Sequence, residues 1–138
     1  MGFRGYISSR PYFESRTPQH VQNLVIRDYC ARKQMEYLLS ATEYAMPGSY
    51  LMLQNVLDDL TETEGIVCYS LFQLPHDNSK RSEVYDVVLN ANKQIHFSLE
   101  SLSITRAEEI DRIEKIWKVG KMLRDTLSVS DLKNILTT

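Results

Sequence analysis

The chain alternates between two hydrophobic periods: short apolar runs of strand length, and stretches where apolar residues recur three and four positions apart, as on one helix face. The first run, Gly5-Tyr6-Ile7-Ser8-Ser9, ends at Arg10-Pro11, because a proline pushes the preceding residue out of helical geometry. After a polar and aromatic loop, Thr17-Pro18 marks a helix start. The hydroxyl can accept a first-turn amide, and the proline sits where no helical donor is needed. Val21, Leu24, Val25 and Tyr29 carry this helix to about Lys33. Tyr37 to Thr42 reads as a second strand, Met46-Pro47-Gly48 as a turn, and Tyr50, Leu53, Val56, Leu57 and Leu60 as a second helix. Gly65 to Leu71 is nearly continuously apolar, the pattern of a strand covered by helices on both faces. Asp77-Asn78-Ser79 offers caps for a third helix carrying Val84, Tyr85, Val88 and Leu89, and Gln94 to Leu99 reads as a fourth strand. Thr105 with Glu108 forms a capping box for a long helix over about 105–127. Ser130-Asp131 caps a short tail helix over about 130–136.

Strand followed by helix, four times over, predicts an α/β fold: a small doubly wound, flavodoxin-like parallel sheet of four strands in the order 2-1-3-4, with a long C-terminal helix. The 138 residues, with 43% hydrophobic and 25% charged, suit one globular domain over 1–138, with its sheet core over about 4–102, and exclude disorder across the whole chain. A net charge of −2 gives no global attraction to nucleic acid or to a membrane surface, and neither partner is expected. No apolar run reaches bilayer length, and Met1 to Arg10 lacks the apolar segment of a signal peptide. Cys30 and Cys68 show neither metal-ligand spacing nor a disulfide framework. A cytoplasmic location, with no metal and no cofactor, is therefore the expectation. Ile113, Ile116 and Trp117 cannot share one narrow stripe of the last long helix. That width predicts a homodimer through this helix, the alternative being a helix packed between its own sheet and the tail helix.

Ligands of an open parallel sheet bind beyond the carboxyl ends of the strands. This topology brings Ser8 and Arg10, Glu43 and Tyr44, Ser70, Phe72 and Gln73, and Glu100 to one rim. Arg10 and Arg16 flank a loop that leads into a helix N-terminus, with Gln19 and His20 in its first turn. Free backbone donors and planar guanidinium forks at such a place suit a phosphate or carboxylate. The other reading is that the arginines are solvated or pair with Glu14 and Glu43. Ser8, Glu43 and Glu100 are the candidate catalytic groups: a serine at a strand end, and two carboxylates able to act as acid and base if burial separates their pKa values. No nucleophile elbow surrounds the serine, so a serine that satisfies backbone groups and carboxylates that serve as ion-pair partners are the bland alternatives. Tyr44 and Phe72 offer rings for stacking on a sugar or a base. His96 falls mid-strand and reads as structural, and the cysteines read as small buried hydrophobes. The absence of a Walker loop and of GxGxxG after any strand excludes those standard nucleotide sites.

Gly5-Tyr6-Ile7-Ser8-Ser9, the helix around Gln19 to Arg27, Leu71-Phe72-Gln73-Leu74-Pro75-His76-Asp77 and the segment Ile95 to Ile104 fall in the order seen in the catalytic domain of serine recombinases, the resolvases and invertases. The chain resembles that family at the level of fold, over about 4–127. The functional residues depart from it. Alignment of Gly5-Tyr6 puts Ser8 where the family has an arginine and Arg10 where it has the nucleophilic serine, while Gln73 and His76 occupy two arginine positions. The resemblance therefore implies the fold without DNA strand exchange, and a degenerate DNA-binding relative is the weakest of the functional readings.

A second resemblance rests on longer phrases: Arg4-Gly5-Tyr6-Ile7-Ser8-Ser9-Arg10-Pro11, Pro18-Gln19-His20-Val21-Gln22-Asn23-Leu24, Leu39-Ser40-Ala41-Thr42-Glu43-Tyr44 and Tyr69-Ser70-Leu71-Phe72-Gln73-Leu74-Pro75. These are similar to the bacterial sporadic carbohydrate cluster family, encoded in surface-polysaccharide loci. The resemblance implies a role in lipopolysaccharide or capsule biosynthesis and carries no defined reaction. The expected ligand is a phosphorylated sugar or nucleotide-sugar, bound or transformed at the rim. The alternative is a non-catalytic dimeric adaptor or regulator of a carbohydrate enzyme.

Overall fold

A computed structural model describes residues 2–9, 17–44 and 50–126, with the side chains of 124–126 left aside. Arg10 and Arg16, the 46–48 turn and the tail helix expected over 130–136 lie outside the described residues.

The elements alternate as the hydrophobic pattern predicts. They are β1 (Phe3–Ser8), α1 (Gln19–Arg32), β2 (Tyr37–Glu43), α2 (Leu51–Asp58), β3 (Gly65–Cys68), α3 (Asn78–Asn90), β4 (Gln94–Phe97), β5 (Leu102–Ile104) and α4 (Ile110–Thr126). The sheet order is β2-β1-β3-β4-β5. Pairings among the first four strands are parallel, so the expected 2-1-3-4 order is present within the sheet. The expectation of four strands is corrected to five. β5 turns back and pairs antiparallel with β4, Ile95 opposite Ile104 and Phe97 opposite Leu102. The reversal passes through Ser101 at φ 54°, a left-handed position reached by a serine where a glycine would have signalled the turn.

Three boundaries also move. β3 is shorter than the apolar run that encodes it, because Ser70 caps a 3₁₀ turn over Leu71–Gln73 by accepting the Phe72 N–H. α1 starts at Gln19, with Pro18 rather than Thr17 at its cap position. Thr17 instead offers its carbonyl to the Gln22 side chain. α4 is preceded by a 3₁₀ turn, Ala107–Glu109, and Glu109, not Glu108, accepts from the Thr105 hydroxyl and from the Thr105 and Arg106 amides. Asp77 caps α3 as read, accepting the Lys80 N–H.

Helices cover both faces. α1 packs on one face through Ile26, Tyr29 and Cys30 against Phe3, Ile7, Val67 and Tyr69. The larger cluster on the other face joins Tyr6, Ile66, Cys68, Ile95 and Phe97 to Leu53, Val56 and Leu57 of α2, Val84, Tyr85 and Val88 of α3, and Ile113 and Trp117 of α4. Both cysteines are buried and unpaired. Burial pushes both thiols above their ordinary pKa, as expected of small core hydrophobes. Among the described residues no helix is long and apolar enough to cross a membrane, and no cluster could hold a metal ion.

Candidate functional site

The carboxyl ends of β1 to β4 form one edge, and the sequence places polar side chains at each. In the structure most of them bond to one another or to helix ends. At the end of β1, Ser8 is buried and its backbone is gripped by Gln22 of α1, whose Oε1 accepts the Ser8 N–H (3.1 Å) while its Nε2 donates to the Ser8 carbonyl (2.8 Å). The same amide donates to the Thr17 carbonyl (2.8 Å), and its Oε1 takes a further bond from Gln73 Nε2 (2.9 Å). Gln22 thus ties β1, α1 and the turn after β3 together with four bonds. The sequence reading missed it as a site residue. The available signal was its place in line with Ile26 and Tyr29 on the buried face of α1, where an apolar residue would be expected.

Glu43, at the end of β2, is buried. Its carboxylate accepts the Tyr6 hydroxyl (3.0 Å) and the first-turn amides of α2, Met52 (3.2 Å) and Leu53 (3.1 Å). A carboxylate on free N–H groups at a helix start is both a cap and a dipole counter-charge. Ser9 bonds the Glu43 carbonyl through both its amide and its hydroxyl. Glu100, after β4, does the equivalent for the turn after β3: its oxygens accept the Ser70 hydroxyl (2.7 Å) and the Leu71 N–H (2.8 Å). Burial pushes the Glu100 carboxyl above the ordinary carboxylate range, against the opposing pull of those two donors. Ser70 and Glu100 have the spacing of an activated hydroxyl and its base, yet Ser70 is 0% exposed and also holds the Phe72 amide.

The remaining candidates scatter. Gln19 and His20 are exposed on the first turn of α1, and Tyr44 is 68% exposed. Phe72 turns toward α4, its ring 5.5 Å from that of Trp117 and so close to Gly120 that a Cβ there would lie 2.4 Å from Cζ. Gln73 is 4% exposed, and its Oε1 is buried without a hydrogen-bond partner. A swapped amide would set Gln73 oxygen against Gln22 oxygen, so the observed orientation leaves an acceptor unmet. By its chemistry that acceptor matches a hydroxyl or N–H donor and not a phosphate oxygen, though the atom itself is closed to solvent.

A second polar cluster joins α3 to α4. Arg81 is 1% exposed; it donates to Glu114 through Nε (2.9 Å) and one Nη (2.7 Å), and to the Pro75 and His76 carbonyls and Asn78 Oδ1. Its guanidinium carbon sits 3.9 Å from the centre of the Trp117 ring, and Tyr85 donates to Glu114 (2.8 Å). Burial works against the charged guanidinium, but Glu114 outweighs it and raises the Arg81 pKa; the hydrogen bonds from Arg81 in turn hold the Glu114 carboxyl below its ordinary range. Arg81 occupies the helical row of Val84, Tyr85 and Val88, which is the signal that could have marked it.

This fold is similar to the crystal structure of a resolvase family site-specific recombinase from Streptococcus pneumoniae, with a TM-score of 0.60 and 7% identity over 98% of this chain and 97% of that one. It is also similar to the N-terminal catalytic domain of TP901-1 integrase, with a TM-score of 0.64 and 14% identity over 91% of this chain and 99% of that one. No protein-family model matches the chain, and no curated protein matches it. At such low identities the likeness concerns architecture alone: the chain has a resolvase-like α/β fold.

Proposed function

We propose that this resolvase-like domain is a ligand-binding protein of bacterial surface-glycan assembly, and that it holds a phosphorylated sugar or nucleotide-sugar at the carboxyl edge of its sheet. The glycan setting comes from the sequence phrases resembling the carbohydrate-cluster family. The observation that carries the site is Gln73, buried, fixed by Gln22 and with an acceptor oxygen left unmet. Sugar hydroxyls are the chemical complement of such an acceptor, and Arg10 and Arg16, which follow Ser9 closely in sequence, would supply cations for phosphate. Binding is favoured over turnover because Glu43, Ser70 and Glu100 act as caps rather than as an exposed acid, nucleophile and base. Calorimetric titration with UDP-glucose and glucose 1-phosphate tests this. Binding that falls at least about tenfold in Arg10→Ala and in Gln73→Leu is the expected result. Absence of heat with both probes, or wild-type affinity in both variants, refutes the site.

A second reading, a dimeric adaptor joined through α4, is favoured by Val119, Met122 and Leu123, which are all more than half exposed on that helix. Val119 and Leu123 join Ile116 and Gly120 in lining a hollow of about 380 Å³ beside Phe72. Light scattering of the wild type and of Leu123→Glu distinguishes dimer from monomer.

A further inference from the structure

The helix α4 carries two adjacent apolar stripes. Ile113 and Trp117 face the larger core cluster. Ile116, Val119 and Leu123, three and four positions apart, form the second stripe, and Val119 and Leu123 are exposed. With the Phe72 ring and Gly120 they line a hollow of about 380 Å³. The cations in that lining, Arg112 and Lys115, come from the N-terminal half of α4, so the half nearest Thr126 is apolar.

Residues 127–138 follow α4 directly and lie outside the described residues. Behind the Ser130-Asp131 cap, Leu132, Ile135 and Leu136 recur at helical spacing on one face. A helix this short does not hold in water by itself, so it needs an apolar surface to form. The stretch from Leu127 to Ser130 matches the usual connection between antiparallel helices, of about 2–5 residues. A helix over 131–136 is about 9 Å long, and Val119 lies about 10 Å back along α4 from Thr126. We propose that this tail turns back as a short helix and packs Leu132, Ile135 and Leu136 against Val119 and Leu123. The dimeric reading puts a second copy on the same face, but two points favour the tail. The exposed stripe, with Met122 beside it, offers only about 300 Å² of apolar surface, against about 800 Å² per partner in a stable dimer. A tether this short also holds the segment at an effective concentration on the order of 1 mM. The tail therefore competes with any protein that docks on this face of α4.

Amide exchange read by NMR on the full chain tests the contact. Expected is at least about tenfold protection of the Ile135 and Leu136 amides, unchanged on dilution. Val119→Asp and Leu123→Asp, both at exposed positions, should each remove that protection, while Lys121→Asp, the same acid off the stripe, should keep it. A methyl NOE between Leu136 and Val119 should appear in uniformly labelled protein, with no NOE between chains in an isotope-filtered mixture of labelled and unlabelled protein. Unprotected tail amides, or protection that survives both Val119→Asp and Leu123→Asp, overturns the proposal. So does an interchain NOE, which would put a second copy in the hollow and support the dimeric reading instead.

Discussion

Glu114→Gln isolates the clamp between α3 and α4. The Arg81 side chain is 2% exposed and that of Glu114 is 35% exposed, so the substitution removes the counter-charge of a buried cation from the wetter side of the pair. A glutamine oxygen can keep one of the two Arg81 bonds, at 2.7 and 2.9 Å, while its NH₂ faces a donor where the other was. Removing one member of a fully buried pair costs about 3–5 kcal/mol. Water reaching the partly exposed Glu114 side lowers this to about 2–3 kcal/mol here. With a urea dependence of about 1–3 kcal/mol per molar, the midpoint should fall by about 1–2 M with the slope unchanged. The single tryptophan, Trp117, lies under the Arg81 guanidinium and reports the transition by fluorescence, alongside far-ultraviolet dichroism for the whole fold. The loss should also depend on pH. Arg81 depresses the Glu114 pKa in the folded state, so the wild-type advantage is present above the ordinary carboxylate range and disappears as pH falls through the lowered value. Adding Arg81→Met to Glu114→Gln should recover most of the stability, since an apolar side chain of similar length leaves no charge unpaired. A midpoint unchanged by Glu114→Gln, or a difference that persists unaltered at low pH, refutes the reasoning.

Three further outcomes follow from the packing. His96 accepts the Tyr29 hydroxyl at Nδ1 (2.7 Å) and lies 2.9 Å from Gln94 Oε1 through Nε2; burial, with Lys33 assisting, lowers its pKa to about 4. It should stay neutral by NMR until about pH 4, and because the unfolded chain takes up that proton near pH 6.5, stability should fall between those values by about 3 kcal/mol. Titration of His96 near 6.5 in the folded protein would contradict this. Gly65 has φ 153° and a Cβ there would lie 2.0 Å from the Gln94 carbonyl oxygen, so Gly65→Ala should cost at least about 2 kcal/mol and lower the thermal midpoint by several degrees. Glu43→Gln should cost about 1–2 kcal/mol and speed hydrogen exchange at Met52 and Leu53, whose amides the carboxylate accepts; unchanged exchange would remove its capping role.

The sequence by itself determined the alternation of strands and helices, and with it the parallel order of the first four strands, because hydrophobic period is a local property and the handedness of crossovers leaves few ways to assemble it. It also marked His96 as structural, Asp77 as a cap and both cysteines as core, since each judgment needs only a residue and its element. Only the tertiary structure decided β5, whose turn rests on a left-handed serine rather than a glycine, and the partners of the polar residues. Glu43 meets Tyr6 and α2, Ser70 meets Glu100, and Arg81 meets Glu114 across separations of nine to 37 positions. Nothing local distinguishes a carboxylate that will cap a distant helix from one that will face a ligand. Burial and hydrogen-bond geometry make that distinction, and both arise only when the chain has closed on itself.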